Sequence, residues 1–296
     1  MTGNVIVGQS GGPTAAINSS LAGVFRTAKD RGAGKVYGML HGIKGLMEEQ
    51  YIDLSDYIKN DLDVELLKRT PAAYLGSCRF KLPEIHEDME TYEKIFSILE
   101  KLQIEALIYI GGNDSMDTVL KLSHYGEQIG SDVRIIGIPK TIDNDLLITD
   151  HTPGYGSAAK YIATSMLEIA HDTFIYSVPS VTIVEIMGRD AGWLTATSAL
   201  ARNEYSDAPH LMYFPEVAFD KEQFISDIKE QLSKRNNVII AVSEGIRDKD
   251  GHYISASTAV NDQFGHSQLS GTGKCLEYMV KEALNIKVRS IELNVL

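Results

Sequence analysis

The chain has 296 residues, 44% of them hydrophobic and 23% charged, and a formal net charge of −12. That length suits one large domain or two smaller ones, and the composition is that of an ordinary globular protein. No apolar run is long enough to cross a bilayer, and the opening "MTGNVIVGQSGG" lacks the basic and apolar regions of a secretory signal. No Lys/Arg-rich block appears, so neither nucleic acid nor a membrane is an expected partner. The two cysteines, Cys78 and Cys275, are far apart and in no metal-like spacing, which fits a reducing cytoplasm. The acidity sets one constraint: an anionic ligand must be met by cations placed locally.

In chain order, Val/Ile-rich apolar runs predict strands at 4–9, 35–40, 106–112, 134–139, 181–187, 211–217 and 237–244. Their near-continuous apolarity is that of parallel strands covered on both faces. Amphipathic segments predict helices over roughly 15–31, 84–101, 115–126, 156–172, 191–202, 220–234 and 271–285. Strands alternating with helices imply βαβ units and a doubly wound α/β fold. Pro and Gly cluster at 150–156, which places a boundary between domains 1–154 and 155–296; the alternative is one sheet with a long loop. In such sheets ligands sit beyond the carboxyl ends of the strands, so the residues after each strand carry the functional signal.

The first strand runs into "GQSGGPTAAIN", where Gly11 and Gly12 precede a helical pattern. Glycines let backbone N–H groups approach an anion, and a helix N-terminus adds a favourable dipole. A tight turn is the structural alternative. The strand at 106–112 ends in "GGNDSMDT", with Asn113, Asp114 and Ser115 crowding a helix start. A helix cap explains one of these polar residues; phosphate binding with a metal nearby explains them together with the two glycines. "PKTIDNDL" follows the next strand and supplies Lys140, Thr141, Asp143 and Asp145; alone it also reads as an Asx-type turn. "VEIMGRDAG" adds Met187, Gly188 and Arg189, where Arg189 suits a phosphate clamp or an ion pair with Asp190 or Glu185. "AVSEG" adds Glu244, an acceptor for sugar hydroxyls or a turn cap, and "LGSCRF" adds Arg79.

These motifs, in this order and along essentially the whole chain, resemble the phosphofructokinase family. The pairing of "TIDND" with "VEIMGR" is the most specific part of the match. The resemblance implies two Rossmann-like domains, the first binding the phosphoryl donor and the second the sugar phosphate. It implies transfer to the 1-hydroxyl of fructose 6-phosphate, with Mg²⁺ near Asn113 and Asp114. Asp143 matches the family's base, Thr141 and Asp145 its neighbours at the reacting centre, and Arg189 a cation on the transferred group. Gly11, Gly12, Arg79 and Ser115 match donor contacts. Met187, Gly188, Glu244 and Arg289 match sugar-phosphate contacts, the last supplied in the family by an adjacent subunit. That sharing implies at least a dimer, so a homodimer or homotetramer is expected, in the cytoplasm that the cysteines suit.

Asp114 and Lys140 bear on the donor. Members that use ATP are similar to this chain but carry glycine at both positions, which leaves room for the nucleotide. A carboxylate at 114 opposes an α-phosphate by bulk and charge, and an ammonium at 140 serves the terminal phosphates. The pair resembles the pyrophosphate-dependent branch. The runner-up readings are the same chemistry with ATP and a non-catalytic regulatory subunit. Several departures stand out. Asn113 replaces an aspartate near the metal, and Ser180 an arginine of bacterial ATP enzymes. Ala22 replaces an effector-site arginine while Arg26 keeps another, so weak or absent nucleotide regulation is expected. Family chains also continue through further helices, whereas this sequence stops at Leu296 within what reads as a strand. A C-terminally shortened chain with exposed apolar surface is therefore expected.

Overall fold

The computed structural model describes residues 3–255 and 271–293. The chain divides into two compact units, Met1–Thr141 and Ile142–Leu296. The division falls ahead of the Pro/Gly cluster at 150–156 because Ile142 already packs against the apolar core of the second unit.

The first unit holds five strands: β1 (Asn4–Gln9), β2 (Val36–Met39), β3 (Tyr51–Asp53), β4 (Ile104–Gly111) and β5 (Arg134–Pro139). Their order is β3-β2-β1-β4-β5, all neighbours parallel except the β2–β3 pair. Side-chain alternation builds a core on each face. Val5, Val7, Ala106 and Ile110 point to one side, and Ile6, Leu107 and Tyr109 to the other. Helix α1 (Ile17–Asp30) covers the first face with Ile17, Leu21, Val24, Phe25 and Ala28, a helical stripe. The elements α2 (Gly42–Met47) and α3 (Asp61–Arg69) lie between β2 and β4, with α4 (Met89–Lys101) following them. Helix α5 (Asn113–Gln128) links β4 to β5.

The second unit has a four-stranded, wholly parallel sheet. Its strands are β6 (Ser180–Ile186), β7 (Leu211–Tyr213), β8 (Asn237–Ser243) and β9 (Lys287–Leu293), in the order β7-β8-β6-β9. Here too each strand feeds two cores: Val184, Ile186, Ile239 and Ala241 one, and Val181, Ile183, Val238, Ile240 and Val242 the other. The helices are α6 (Tyr155–Phe174), α7 (Trp193–Thr197), α8 (Lys221–Leu232) and α9 (Thr272–Leu284).

Some expected elements are shorter. The run at 211–217 is a strand only to Tyr213, since Phe214–Val217 closes a turn. The pattern at 84–101 becomes helical at Met89, where the Asp88 carboxylate caps Thr91 N–H at 3.2 Å. The segment at 191–202 splits into α7 and a 3₁₀ turn, Ser198–Ala201. Ala22 is a core residue of α1, and Arg26 is paired with Asp61 at 2.9 Å.

Phe224 on α8 is fully buried against Tyr213 and Phe219, with ring centroids 5.2 Å from each. Replacing it with alanine should cost about 3–5 kcal/mol, read as a lower denaturant midpoint on urea unfolding.

Candidate active site

The first unit reverses its winding between β1 and β4: β1 passes through α1 to β2 on one side, and β4 through α5 to β5 on the other. That switch point is where open α/β sheets bind ligands. The loops after β1, β4 and β5 meet there. Ser10 N–H donates to Ile110 O and Lys140 N–H to Gly111 O, both at 2.9 Å. Ser77 Oγ donates to Gly11 O at 2.6 Å and draws the loop bearing Arg79 to the same edge. Gly11 turns with φ +77°, and a Cβ built on it would stand 3.2 Å from Lys140 Nζ. The Lys140 side chain, only 5% exposed, therefore ends beneath the glycine turn.

The start of α5 differs from a conventional cap. Its N-cap is Gly112 and no side chain caps it, nor does one cap α1 at Ala16. By contrast α3, α4 and α8 are capped by Asn60, Asp88 and Asp220. Ser115 is buried against Gly111, where a Cβ would lie 1.9 Å from Ser115 Oγ, so that glycine serves close packing. Gly12 and Gly112 are open by the same test, with nothing nearer than 3.9 Å. The side-chain-uncapped start of α5, the open glycines and the Lys140 ammonium are together the chemistry that suits an anion, while at α1 Thr14 already takes the Ala16 and Ile17 N–H groups. Arg79 lines an adjoining cavity of about 300 Å³ with Lys44 and Ser77.

Asn113 and Asp114 are exposed in the first turn of α5. No group of three His, Cys, Asp or Glu side chains is placed to hold a metal among the described residues. Mg²⁺ is commonly held by one or two carboxylates together with substrate phosphates, so this oxygen pair fits a metal that arrives with a phosphate.

The unit division passes through the motif "PKTIDNDL", after Thr141. Asn144 sits in the left-handed region (φ +57°) and is buried. Its Oδ1 accepts from Thr152 N–H at 2.9 Å and its Nδ2 donates to Asp150 O at 3.1 Å, closing the loop. The turn chemistry thus belongs to Asn144, leaving Asp143 half-buried and Asp145 exposed.

Beyond β6 the Glu244 carboxylate accepts the N–H groups of Gly188 and Arg189 at 3.1 and 3.0 Å. Burial raises the Glu244 pKa; the two amides oppose this and the Asp143 charge adds to it. Gly245 allows the close approach, because a Cβ there would fall 1.7 Å from Arg189 O. Neither expected partner holds Arg189. Asp190 pairs with Arg247 and accepts from Tyr253 Oη, and Glu185 takes the Gly273 N–H at 2.7 Å. Met187 is half-buried and Arg189 exposed. Arg289 on β9 donates to Asp172 at 2.8 Å and to the hydroxyls of Thr173 and Thr182. Ser180 is buried, accepting from Asn237 Nδ2 at 2.9 Å.

Sequence reasoning passed over Gln9, whose amide bonds Ile17 O, Asn18 and Leu75 N–H and so fixes α1 against the loop before Arg79. A fully buried glutamine ending an apolar strand was the available signal. Thr272, Gly245 and Ser77 were also missed; each works through a single backbone contact that leaves no spacing signature.

Comparison with known proteins defines the class. The phosphofructokinase family model matches residues 4–294, and the chain belongs to that family. It is 42% identical over 288 residues to a pyrophosphate–fructose 6-phosphate 1-phosphotransferase of Halomonas elongata, covering 96% of this chain and 68% of that protein. A protein of the same description from Xanthomonas campestris is 40% identical, with 97% and 68% covered. The solved pyrophosphate-dependent phosphofructokinase of Nitrosospira multiformis superposes with a TM-score of 0.84 at 35% identity, over 98% of this chain and 69% of that one. No helix among the described residues is long and apolar enough to cross a membrane.

Gly245→Ala should push the Arg189 carbonyl aside. We expect a stability loss of about 1–3 kcal/mol in urea unfolding, with Gly188 and Arg189 amide exchange accelerated.

Proposed function

We propose that this protein transfers a phosphoryl group from pyrophosphate to the 1-hydroxyl of fructose 6-phosphate, giving fructose 1,6-bisphosphate and orthophosphate. The observation that carries the donor assignment is the Lys140 ammonium beneath the Gly11 turn, combined with a carboxylate, Asp114, in the first turn of α5. The names borne by the Halomonas and Xanthomonas relatives support the same reading.

In this reading the first unit holds the donor. Gly11, Gly12 and Gly112 offer backbone N–H groups, and Lys140 and Arg79 offset phosphate charge. Phosphoryl transfer depends mainly on positioning and charge stabilisation, which is what these groups provide. Asp114, with the Asn113 amide, would hold Mg²⁺, which when bound neutralises phosphate oxygens. The second unit holds the sugar phosphate through Met187, Gly188, Glu244 and Arg189. Arg289 completes that set across a homodimer or homotetramer. Its exposed pair with Asp172 is worth at most about 1 kcal/mol, so exchanging that carboxylate for a phosphate costs little.

Asp143 accepts the proton of the 1-hydroxyl as its oxygen bonds to phosphorus and the P–O–P bridge breaks, with the electron pair leaving on orthophosphate. Thr141 and Asp145 flank the base, and Arg189 offsets charge on the moving group. The bond broken and the bond formed are similar enough in energy for a reversible reaction. The reducing cytoplasm suits the two free cysteines.

Asp143→Ser should lower the forward rate by about 10²–10⁴ while leaving fructose 6-phosphate affinity within a few-fold, measured by steady-state kinetics and calorimetry. A rate within a few-fold of the parent would sink the mechanism. Joint replacement Asp114→Gly and Lys140→Gly should abolish turnover with pyrophosphate; unchanged rates with pyrophosphate and with ATP would refute the donor assignment.

A further inference from the structure

Glu185 has no place in the mechanism above, yet it is a buried carboxylate, 4% exposed, at the carboxyl end of β6. Its Oε2 accepts the Gly273 N–H at 2.7 Å. Gly271, the N-cap of α9, has no side chain to cap the helix, so the neighbouring strand supplies the acceptor. A Cβ on Gly273 would come within 3.1 Å of that same oxygen and 3.5 Å of Ser290 Cβ, so the helix start is seated tightly on β6 and β9. The next contact runs onward. Thr272 is fully buried, and its Oγ1 donates to Glu244 O at 2.8 Å. Glu244 N–H in turn donates to Ile186 O at 2.9 Å, and its carboxylate holds Gly188 and Arg189.

We infer that Glu185 is a positioning residue for sugar-phosphate binding: it fastens the first turn of α9, and that turn, through Thr272, fixes Glu244 and the Gly188–Arg189 turn. The inference rests on the proposed role of Glu244. The circuit starts on β6, crosses to α9 and returns to the residues just beyond β6.

The charges around Glu185 add a property that packing alone does not. The charged groups facing it are Glu292, its register partner on β9, and Glu244 after β8. The nearby charges of α9, Lys274 and Glu277, pair with each other. Burial pushes the Glu185 pKa up to about 7, the two carboxylates add to this, and the Gly273 and Gly271 N–H groups oppose it. Glu185 therefore changes charge near neutrality. A sugar phosphate arriving beside Glu244 disfavours its ionised form, so ligand binding and protonation of Glu185 favour one another.

The test is donor-free binding of fructose 6-phosphate by calorimetry from about pH 6 to about pH 8.5, spanning the shifted group. Glu185→Gln keeps the shape and an acceptor for Gly273. Parent affinity should fall about fivefold more across that range than the affinity of Glu185→Gln. Thr272→Val keeps the volume and removes the bond to Glu244; it should weaken binding and raise KM about fivefold with kcat within about twofold. Superimposable pH profiles for parent and Glu185→Gln, or parental affinity in Thr272→Val, overturn the inference. Should Glu185→Gln fail to fold, Thr272→Val decides. A parent chain that binds no fructose 6-phosphate overturns the functional reading instead. The positioning role is then read from amide exchange, which Thr272→Val should accelerate at Gly188 and Arg189, and unchanged exchange there refutes it.

Discussion

Parallel pairing is the constraint on which the rest of this molecule depends. When β1, β2, β4 and β5 run the same way, every loop leaving a carboxyl end emerges on one edge. The same holds for β6, β7, β8 and β9 in the second unit. Residues as distant in sequence as Gly11, Gly111 and Lys140 thereby become neighbours. The cost is that both sheet faces must be covered by helices, and the alternation of Val5, Ile6 and Val7 between two cores shows how this is met.

On that frame the site is built mostly by what is left unspent. Helices α3, α4 and α8 satisfy their first N–H groups with Asn60, Asp88 and Asp220. Helices α1, α5 and α6 carry no side-chain cap at their N-cap residues, whereas α9 borrows the Glu185 carboxylate of β6. In a chain of net charge −12, such groups matter, because bulk electrostatics repels an anion. Backbone dipoles and a sheltered cation act over a few ångström, inside the screening distance of about 8 Å at physiological salt. Lys140 suits this role better than a surface lysine, since its side chain is buried and its ammonium lies within reach of the Gly11 turn.

Much of this was legible in the sequence, for identifiable reasons. The long strands β1, β4, β6 and β8 were readable because burial on both faces makes them continuously apolar, and the edge strand β5 was readable from its Ile-rich run although it is only half-buried. Strand β3 was not, being three residues long and half-buried, and α2 was hidden by Gly42 and Gly45, which depress helix propensity. Helix α3 opens with a capping box in which Asp63 stands at the usual Glu/Gln position. Polar clusters after strands located the candidate site residues, but not their division of labour. Nothing in "TIDND" says that Asn144, rather than the aspartates on either side, closes the loop. Nor does "VEIMGRD" reveal that Asp190 turns to Arg247 while Glu185 turns to α9. Those choices are made by residues far along the chain, and only packing brings them within reach.

The donor assignment illustrates why an opposing group carries as much information as an attractive one. Lys140 alone would suit any terminal phosphate, because pyrophosphate and a nucleoside triphosphate share that end. Discrimination needs a term that differs between the two, and on the proposed reading Asp114 would supply it, as a carboxylate that opposes the further negative charge of a third phosphate. The same carboxylate is tolerated by the fold because it stands in the first turn of α5, where the helix dipole favours an anion. On that reading it would oppose a longer donor without destabilising the protein that carries it, and with pyrophosphate bound it would still be available to share a divalent cation.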